Sequence, residues 1–151
     1  MQITSKFTIG VHIIAALEYF KNEYNVTSAF LAGSVGANPV LIRTIMAELK
    51  NAGLIEISQG KTGITLAKPI DKISFYDVYR ALNCVEENRL FHFHEKPNLN
   101  CPVGKNIHKA MDKRLSDIQS SMENQMKSIS IKDVYEDIKK EIDFGCGRKN
   151  E

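Results

Sequence analysis

The sequence predicts a mainly α-helical fold with one small β-hairpin (α+β): a winged helix-turn-helix followed by a long dimerisation helix. Three observations carry that expectation. Residues 26–55 read as two short helices joined by a tight turn. Two short runs rich in Ile and Leu follow at once, on either side of a glycine-bearing loop. Further on, seven apolar residues hold one helical face for about six turns.

The first helix is expected from about Ser5 to Asn22, with Thr4 placed to cap it. Val11, Ile14, Leu17 and Phe20 or Lys21 mark its buried stripe, which would pack behind the helix-turn-helix. Leu31 and Val35 then give an apolar edge to the second helix. Gly36 supplies the positive φ that a sharp turn requires. Asn38 before Pro39 suits an N-cap followed by proline at the first helical position. Ile42, Ile45, Met46 and Leu49 recur at helical spacing and should face inward. That leaves Pro39, Val40, Arg43, Thr44 and Ala47 on the outer face, and Gly53 to end the helix. A capped helix with a small, uncharged-to-basic outer face, after a short helix and turn, is the layout of a DNA-reading unit.

Charge sharpens this. No Asp or Glu lies between Tyr24 and Ala47, and none between Ile57 and Ile70. An acid pressed against phosphate would be repelled, so a DNA-facing surface should lack them. Net charge is only +2, but residues 1–70 carry 6 basic and 4 acidic side chains, while the remainder carries 14 of each. The excess therefore lies in the half that holds the reading unit.

Leu54, Ile55 and Ile57, then Ile64 and Leu66, suit the two strands. Gly60 and Gly63 bracket a tip of Lys61 and Thr62, which would lie along a groove near phosphate. Pro69 closes this wing. Ser74 then caps a helix with Val78 and Leu82 inward and Phe75 or Tyr79 adding to that face. Residues 86–103 read as irregular, because Pro97 and Pro102 both disfavour helix.

The long helix is expected from Gly104 or Lys105. Ile107, Met111, Leu115, Ile118, Met122, Met126 and Ile129 step by 4, 4, 3, 4, 4 and 3. A second copy of the helix is the obvious partner for that stripe; the alternative is that it covers its own winged helix. The spacing exceeds 3.5, so a crossing or nearly straight pair is expected rather than a long left-handed coiled coil. Ile131, Val134 and Ile138 suggest one more short helix, and the end reads as frayed. The organisation is therefore a DNA-binding domain over 1–83, a connecting and possible sensor loop over 84–104, a dimerisation region over 105–142 and a frayed tail over 143–151.

Other classes are disfavoured. Hydrophobic content of 43% and charged content of 25% are ordinary for a globular protein, and no apolar run approaches a membrane span. The N-terminus lacks a signal-peptide layout. Cys84, Cys101 and Cys146 form no C-x-x-C pair, which argues for a reducing cytoplasm. No phosphate loop, nucleophile elbow or Ser/His/Asp arrangement proposes an enzyme. His92, His94 and His108 are capable metal ligands beside Cys101, but their spacing is not a recognised zinc pattern, so no metal site is expected. Cys101 is a candidate redox thiol if Lys105 and the helix N-terminus lie close enough to lower its pKa. The rival reading is a winged-helix adaptor that binds protein rather than DNA.

The chain resembles the Rrf-two family of bacterial winged-helix transcriptional regulators, from about Met1 to Ile138. The resemblance is carried by I-T-S-K-F, N-P-V-L-I-R, A-E-L-K-N-A-G-L-I, G-K-T-G-I-T-L-A-K-P, I-S-F-Y-D-V-Y-R-A-L and H-F-H-E-K-P-N-L-N-C-P-V-G-K-N-I, in that order. It implies a homodimer that binds an imperfect palindrome of double-stranded DNA, usually as a repressor. It places Ser28, Ser34, Asn38, Pro39, Val40, Arg43 and Thr44 at or near DNA, with Lys61 and Thr62 from the wing. Arg43 suits a guanine contact, or else a phosphate clamp. Cluster-binding relatives present three closely spaced cysteines in the loop before the long helix. Here only Cys101 lies there, so no iron–sulfur cofactor is expected. The chain is similar to the clusterless branch that carries N-x-N-C-P-V-G.

Overall fold

Asn38 caps the third helix as its sequence predicts: the Oδ1 atom accepts a 2.8 Å hydrogen bond from the Val40 N–H, and Pro39 occupies the first helical position. The computed structural model describes residues 3–60, 63–85 and 89–147, with the backbone alone for 146 and 147. Its helices are α1 (Lys6–Phe20), α2 (Ser28–Val35), α3 (Pro39–Asn51), α4 (Phe75–Ala81), α5 (Pro102–Ser128) and α6 (Ile131–Gly147). Strands β1 (Ile55–Ile57) and β2 (Ile64–Leu66) pair antiparallel, with Ile55 opposite Leu66 and Ile57 opposite Ile64.

Gly36 ends α2 at φ +74°, the left-handed conformation that a residue with a Cβ adopts at a cost. The chain turns by 112° from α2 to α3 across this break, within the range of a helix-turn-helix. Ile42, Ile45 and Leu49 are wholly buried and Met46 nearly so, as their spacing predicts.

α1 departs from a simple amphipathic stripe. Ile14 and Leu17 are buried as expected, but so are Ile13, Ala15 and Ala16, whereas Val11 and Phe20 are half-buried. The reason is tertiary: α6 packs on one side of α1 while α2, α3 and α4 pack on others, so the helix is covered around much of its circumference. Thr4 does not cap it. Ser5 holds the cap position in helical conformation without a side-chain cap bond, and Thr4 instead lies near Cys84, where its side chain favours the thiolate. α1 and α4 cross closely at Gly10, where a Cβ would stand 2.6 Å from Leu82 Cδ1 and 3.0 Å from Val78 Cγ1.

Ser74 and Asp77 form a full capping box on α4, and Val78 and Leu82 are wholly buried. The long helix starts earlier than expected, at Pro102 rather than Gly104 or Lys105. Proline disfavours a helix interior but is well suited to the first position, where its missing N–H is not needed. It also ends earlier. Ile129 stands outside α5 in extended conformation, and its carbonyl accepts from the Phe75 N–H at 2.9 Å. The seven-residue stripe is thus six helical residues and one that has left the helix. The Ile131 N–H then donates to the Ile73 carbonyl at 2.8 Å, and Ser74 and Ser130 form a bridge between them. This short strand-like crossing turns the chain back onto the winged helix.

α6 is longer than the short helix expected, and residues 143–147 continue it rather than fray. Ser130 and Asp133 open it, each exchanging a side-chain bond with the other's backbone N–H, and Ile131 joins the common core. The burial of Val134 and Tyr135 against α1 supplies tertiary support that a glycine-containing end lacks on its own.

Gly10→Val should overpack the α1–α4 crossing and lower unfolding stability by about 1–3 kcal/mol. Urea denaturation followed by helical circular dichroism measures it; an unchanged midpoint would mean that the two helices separate freely.

Candidate nucleic-acid interface

The outward side of α3 begins at its capped N-terminus. Asn38, Pro39, Val40, Arg43, Thr44 and Ala47 are all exposed, and Val40 keeps 62% of its surface open although it is apolar. Neither α2 nor α3 has an acid in its first turn. Both helix starts therefore present the positive end of their dipoles without a competing carboxylate. Arg43 makes no ion pair or side-chain hydrogen bond among the described residues, so its guanidinium is available to an acceptor outside the chain. The Thr44 hydroxyl donates to the Val40 carbonyl at 3.0 Å, which fixes the rotamer and leaves its lone pairs and methyl outward.

Glu48, the acid carried by α3, is drawn away from this surface. Both of its carboxylate oxygens accept from Lys6 Nζ, at 2.7 and 2.9 Å. That pair also ties α3 to the start of α1.

Ser28 is half-buried at the first position of α2. Thr27, which the sequence reading passed over, is the N-cap there and accepts from the Phe30 N–H at 3.1 Å. A threonine before an apolar run is an N-cap signal, and it stood inside the acid-free stretch. Ser34 lies elsewhere: its Oγ is 2.9 Å from His12 Nε2, so it faces α1 rather than sharing the outer side of α3. Lys61 and Thr62 lie outside the described residues. The base of their loop is held, because the Ile64 N–H donates to the Val26 carbonyl at 3.3 Å and a Cβ at Gly63 would meet Asn25 and Val26. The hairpin is thereby seated against the segment that leads into α2.

α5 carries the second set of predicted residues. Met122 and Met126 pack against the core, and next to them the Tyr79 hydroxyl donates to Glu123 Oε1 at 3.3 Å. Burial first, and then Glu123, push the Tyr79 pKa up to about 12. Lys127 Nζ sits 4.6 Å above the Tyr76 ring. Towards its N-terminus the helix is less covered. Ile107, Met111 and Leu115 are half-buried, Ile118 is 52% exposed, and no residue of α5 is fully buried.

Cys101 stands at the N-cap position of α5, partly exposed. Its sulfur makes no close capping bond, yet the N–H groups of Gly104 and then Val103 favour its thiolate and hold its pKa below the ordinary thiol value. Lys105 is not a cause. Cys84 behaves oppositely: burial at the end of α4 pushes its thiol up, against weaker opposing effects of Lys6 and Thr4. His94 and His108 approach edge to face at 4.9 Å, and Phe93 stacks on His108 at 4.6 Å, so these rings pack with one another beside α5. No three His, Cys, Asp or Glu side chains converge among the described residues.

A capped helix with an acid-free outer face, set 112° from the helix before it, with a hairpin seated beside it, defines a winged-helix DNA-binding regulator. The chain belongs to the Rrf2 family, described as iron-dependent transcriptional regulators, whose profile matches residues 3–137. It is 38% identical over 132 residues to YwnA of Bacillus subtilis (strain 168), provisionally named an HTH-type transcriptional regulator; the match covers 87% of this chain and 96% of that protein. A crystal structure provisionally described as a DNA-binding protein is 33% identical with a TM-score of 0.67, covering 86% of this chain and 98% of that one. CymR, the global cysteine regulator of B. subtilis, is 18% identical with a TM-score of 0.66, covering 90% and 97%, and so shares the fold. No single helix among the described residues is long and apolar enough to cross a membrane.

The family description raises iron. An iron–sulfur cluster needs several thiolates at one point. Here Cys84 is enclosed beside Thr4 and Lys6 while Cys101 stands at the start of α5, and no histidine or carboxylate joins either as a third donor among the described residues. The described donor set does not fit a cluster.

The two thiols should separate on alkylation. Cys101 should react with iodoacetamide half-maximally at a pH below the ordinary thiol value. Because the fold stabilises its thiolate, that midpoint should rise on unfolding in urea. Cys84 should react only after unfolding. Peptide mass spectrometry across a pH series reads both, and equal rates for the two in the folded protein would contradict the assigned environments.

Proposed function

We propose that the chain is a homodimeric repressor whose two α3 helices read the halves of an imperfect palindrome. In this reading α3 enters the major groove, Arg43 meets a guanine edge or the backbone, and the wing carries Lys61 and Thr62 along the adjacent minor groove. The observation that supports it most directly is the outer side of α3: exposed, capped, without an acid, and bearing an unpaired Arg43. The dimer is supported by the apolar stripe of α5, which its own chain leaves partly open from Ile107 to Ile118. The site of action is the cytoplasm, where the DNA is and where unpaired thiols persist.

Cys101 is proposed as the thiol that a signal would address. Its thiolate is favoured and partly exposed. A peroxide would convert it to a sulfenic acid with release of hydroxide, a two-electron oxidation of sulfur. The sulfenic acid would stand at the N-cap of α5, the helix assigned to joining the protomers.

Selection of bound duplexes from a random DNA pool tests the main reading. Inverted half-sites with centres about one helical turn apart are expected. Recovery of no duplex, or of a site without symmetry, would overturn it. Arg43→Ala together with Lys61→Ala should abolish the gel shift of the recovered site, and affinity should fall steeply with rising salt. Met111→Glu should convert the dimer to a monomer in sedimentation and weaken binding with it; a dimer that survives would remove α5 as the joint.

A further inference from the structure

An apolar space lies away from the outer side of α3. Between α1 and α6 lies a cavity of about 480 Å³ that opens to solvent. Val11 and Ala15 form its α1 wall, and Ile138 and Ile142 its α6 wall. Among the described residues its lining contains no Asp, Glu, Lys or Arg. The polar groups are not scattered. Thr8 and His12, one turn apart on α1, gather with Ser34 at one end, while Tyr19 lies two turns further along.

Volume and polarity restrict the occupant. Small-molecule sites run to about 300–1,000 Å³ and are mostly apolar with a few placed polar groups. The cavity is comparable to about one turn of an α-helix ~10 Å across, which is the scale of a small molecule. A lining without charge does not compensate the desolvation of an ion. Tyr19 and Tyr135 add ring faces and edges to the walls. We infer that the α1–α6 cavity is an effector site for a small, flat, uncharged aromatic molecule bearing one hydrogen-bonding group, held at its polar end by His12 and Ser34.

The same end touches the reading unit. Ser34 belongs to α2, and its hydroxyl bridges 2.9 Å to His12 Nε2 of α1. A ligand hydroxyl that exchanges with this bond alters how α2 is held, and α2 leads through Gly36 directly into α3. The coupling to DNA rests on the regulator reading above; the binding itself does not.

Calorimetric titration of the full chain with 2-naphthol tests the site, with naphthalene as the hydroxyl-free comparison. One saturable 2-naphthol per chain is expected. Ala15→Leu, which fills the cavity, and Ile142→Glu, which puts a charge at its partly exposed rim, should each weaken binding at least tenfold. The second serves if the first disturbs folding. His12→Phe should remove the preference for 2-naphthol over naphthalene. No saturable binding, or binding unchanged in both cavity variants, overturns the inference. So does loss of oligomerisation in Ile142→Glu with no 2-naphthol bound by the parent chain, since the face is then an interface between copies. With a duplex recovered by selection, bound 2-naphthol should change DNA affinity at least fivefold in the parent and not in Ala15→Leu. Unchanged affinity with 2-naphthol bound overturns the effector role. If no duplex is ever retained, the regulator reading fails and the titration still decides the cavity.

Discussion

Ile42, Ile45 and Leu49 are withdrawn from solvent on the inner side of α3, and this burial fixes the helix in rotation as well as in place. Truncating any one of them to alanine would cost about 2–5 kcal/mol, a large part of the stability of a small domain. Because the helix repeats every 3.6 residues, seating these three inward forces Val40, Arg43 and Thr44 outward. Gly36 and the Asn38 cap set where the helix begins; the core sets which way it faces. A rotation of α3 by one residue would bury Arg43 without a partner, so specificity of the outer face follows from packing of the inner one.

The same core is completed from far along the chain. Ile131 is wholly buried beside residues of the winged helix, held there by its N–H bond to the Ile73 carbonyl. α5 runs from its less covered N-terminus back onto α4, and the chain then passes through this crossing to place α6 on α1. The head is therefore not an independent module with a rod attached. Its back wall is built from the chain that follows the rod, so a change at α5 has a covalent and packed route to α1.

The local features were legible in the sequence. Gly36, Asn38 with Pro39, Ser74 and the paired strands each depend on residues within a few positions, and their signals are chemical: a positive φ, a side-chain acceptor, a fixed proline ring. The inward face of α3 was legible for the same reason. What escaped was set by distant partners. Ile13 is buried in the common core and Ala15 and Ala16 on the side that faces α6, so α1 is covered from several directions, which no period within α1 reveals. Ile129 fits the stripe by spacing yet leaves the helix to pair with Phe75. Pro102 disfavours a helix interior by its chemistry, yet here it opens one. Ser34 pairs with His12, 22 positions earlier, and Lys6 with Glu48, 42 positions later; neither has a local signature.

The Lys6–Glu48 pair has a bearing on how ionic strength acts on this molecule. It is bidentate and about 70% shielded, so mobile ions screen it far less than they screen a guanidinium facing open water. α3 thus carries a carboxylate but keeps its field away from the exposed outer side. Brine that strips the protein from a nucleic acid would leave the posture of α3 intact, and the chain released would be ready to rebind on dilution rather than in need of refolding.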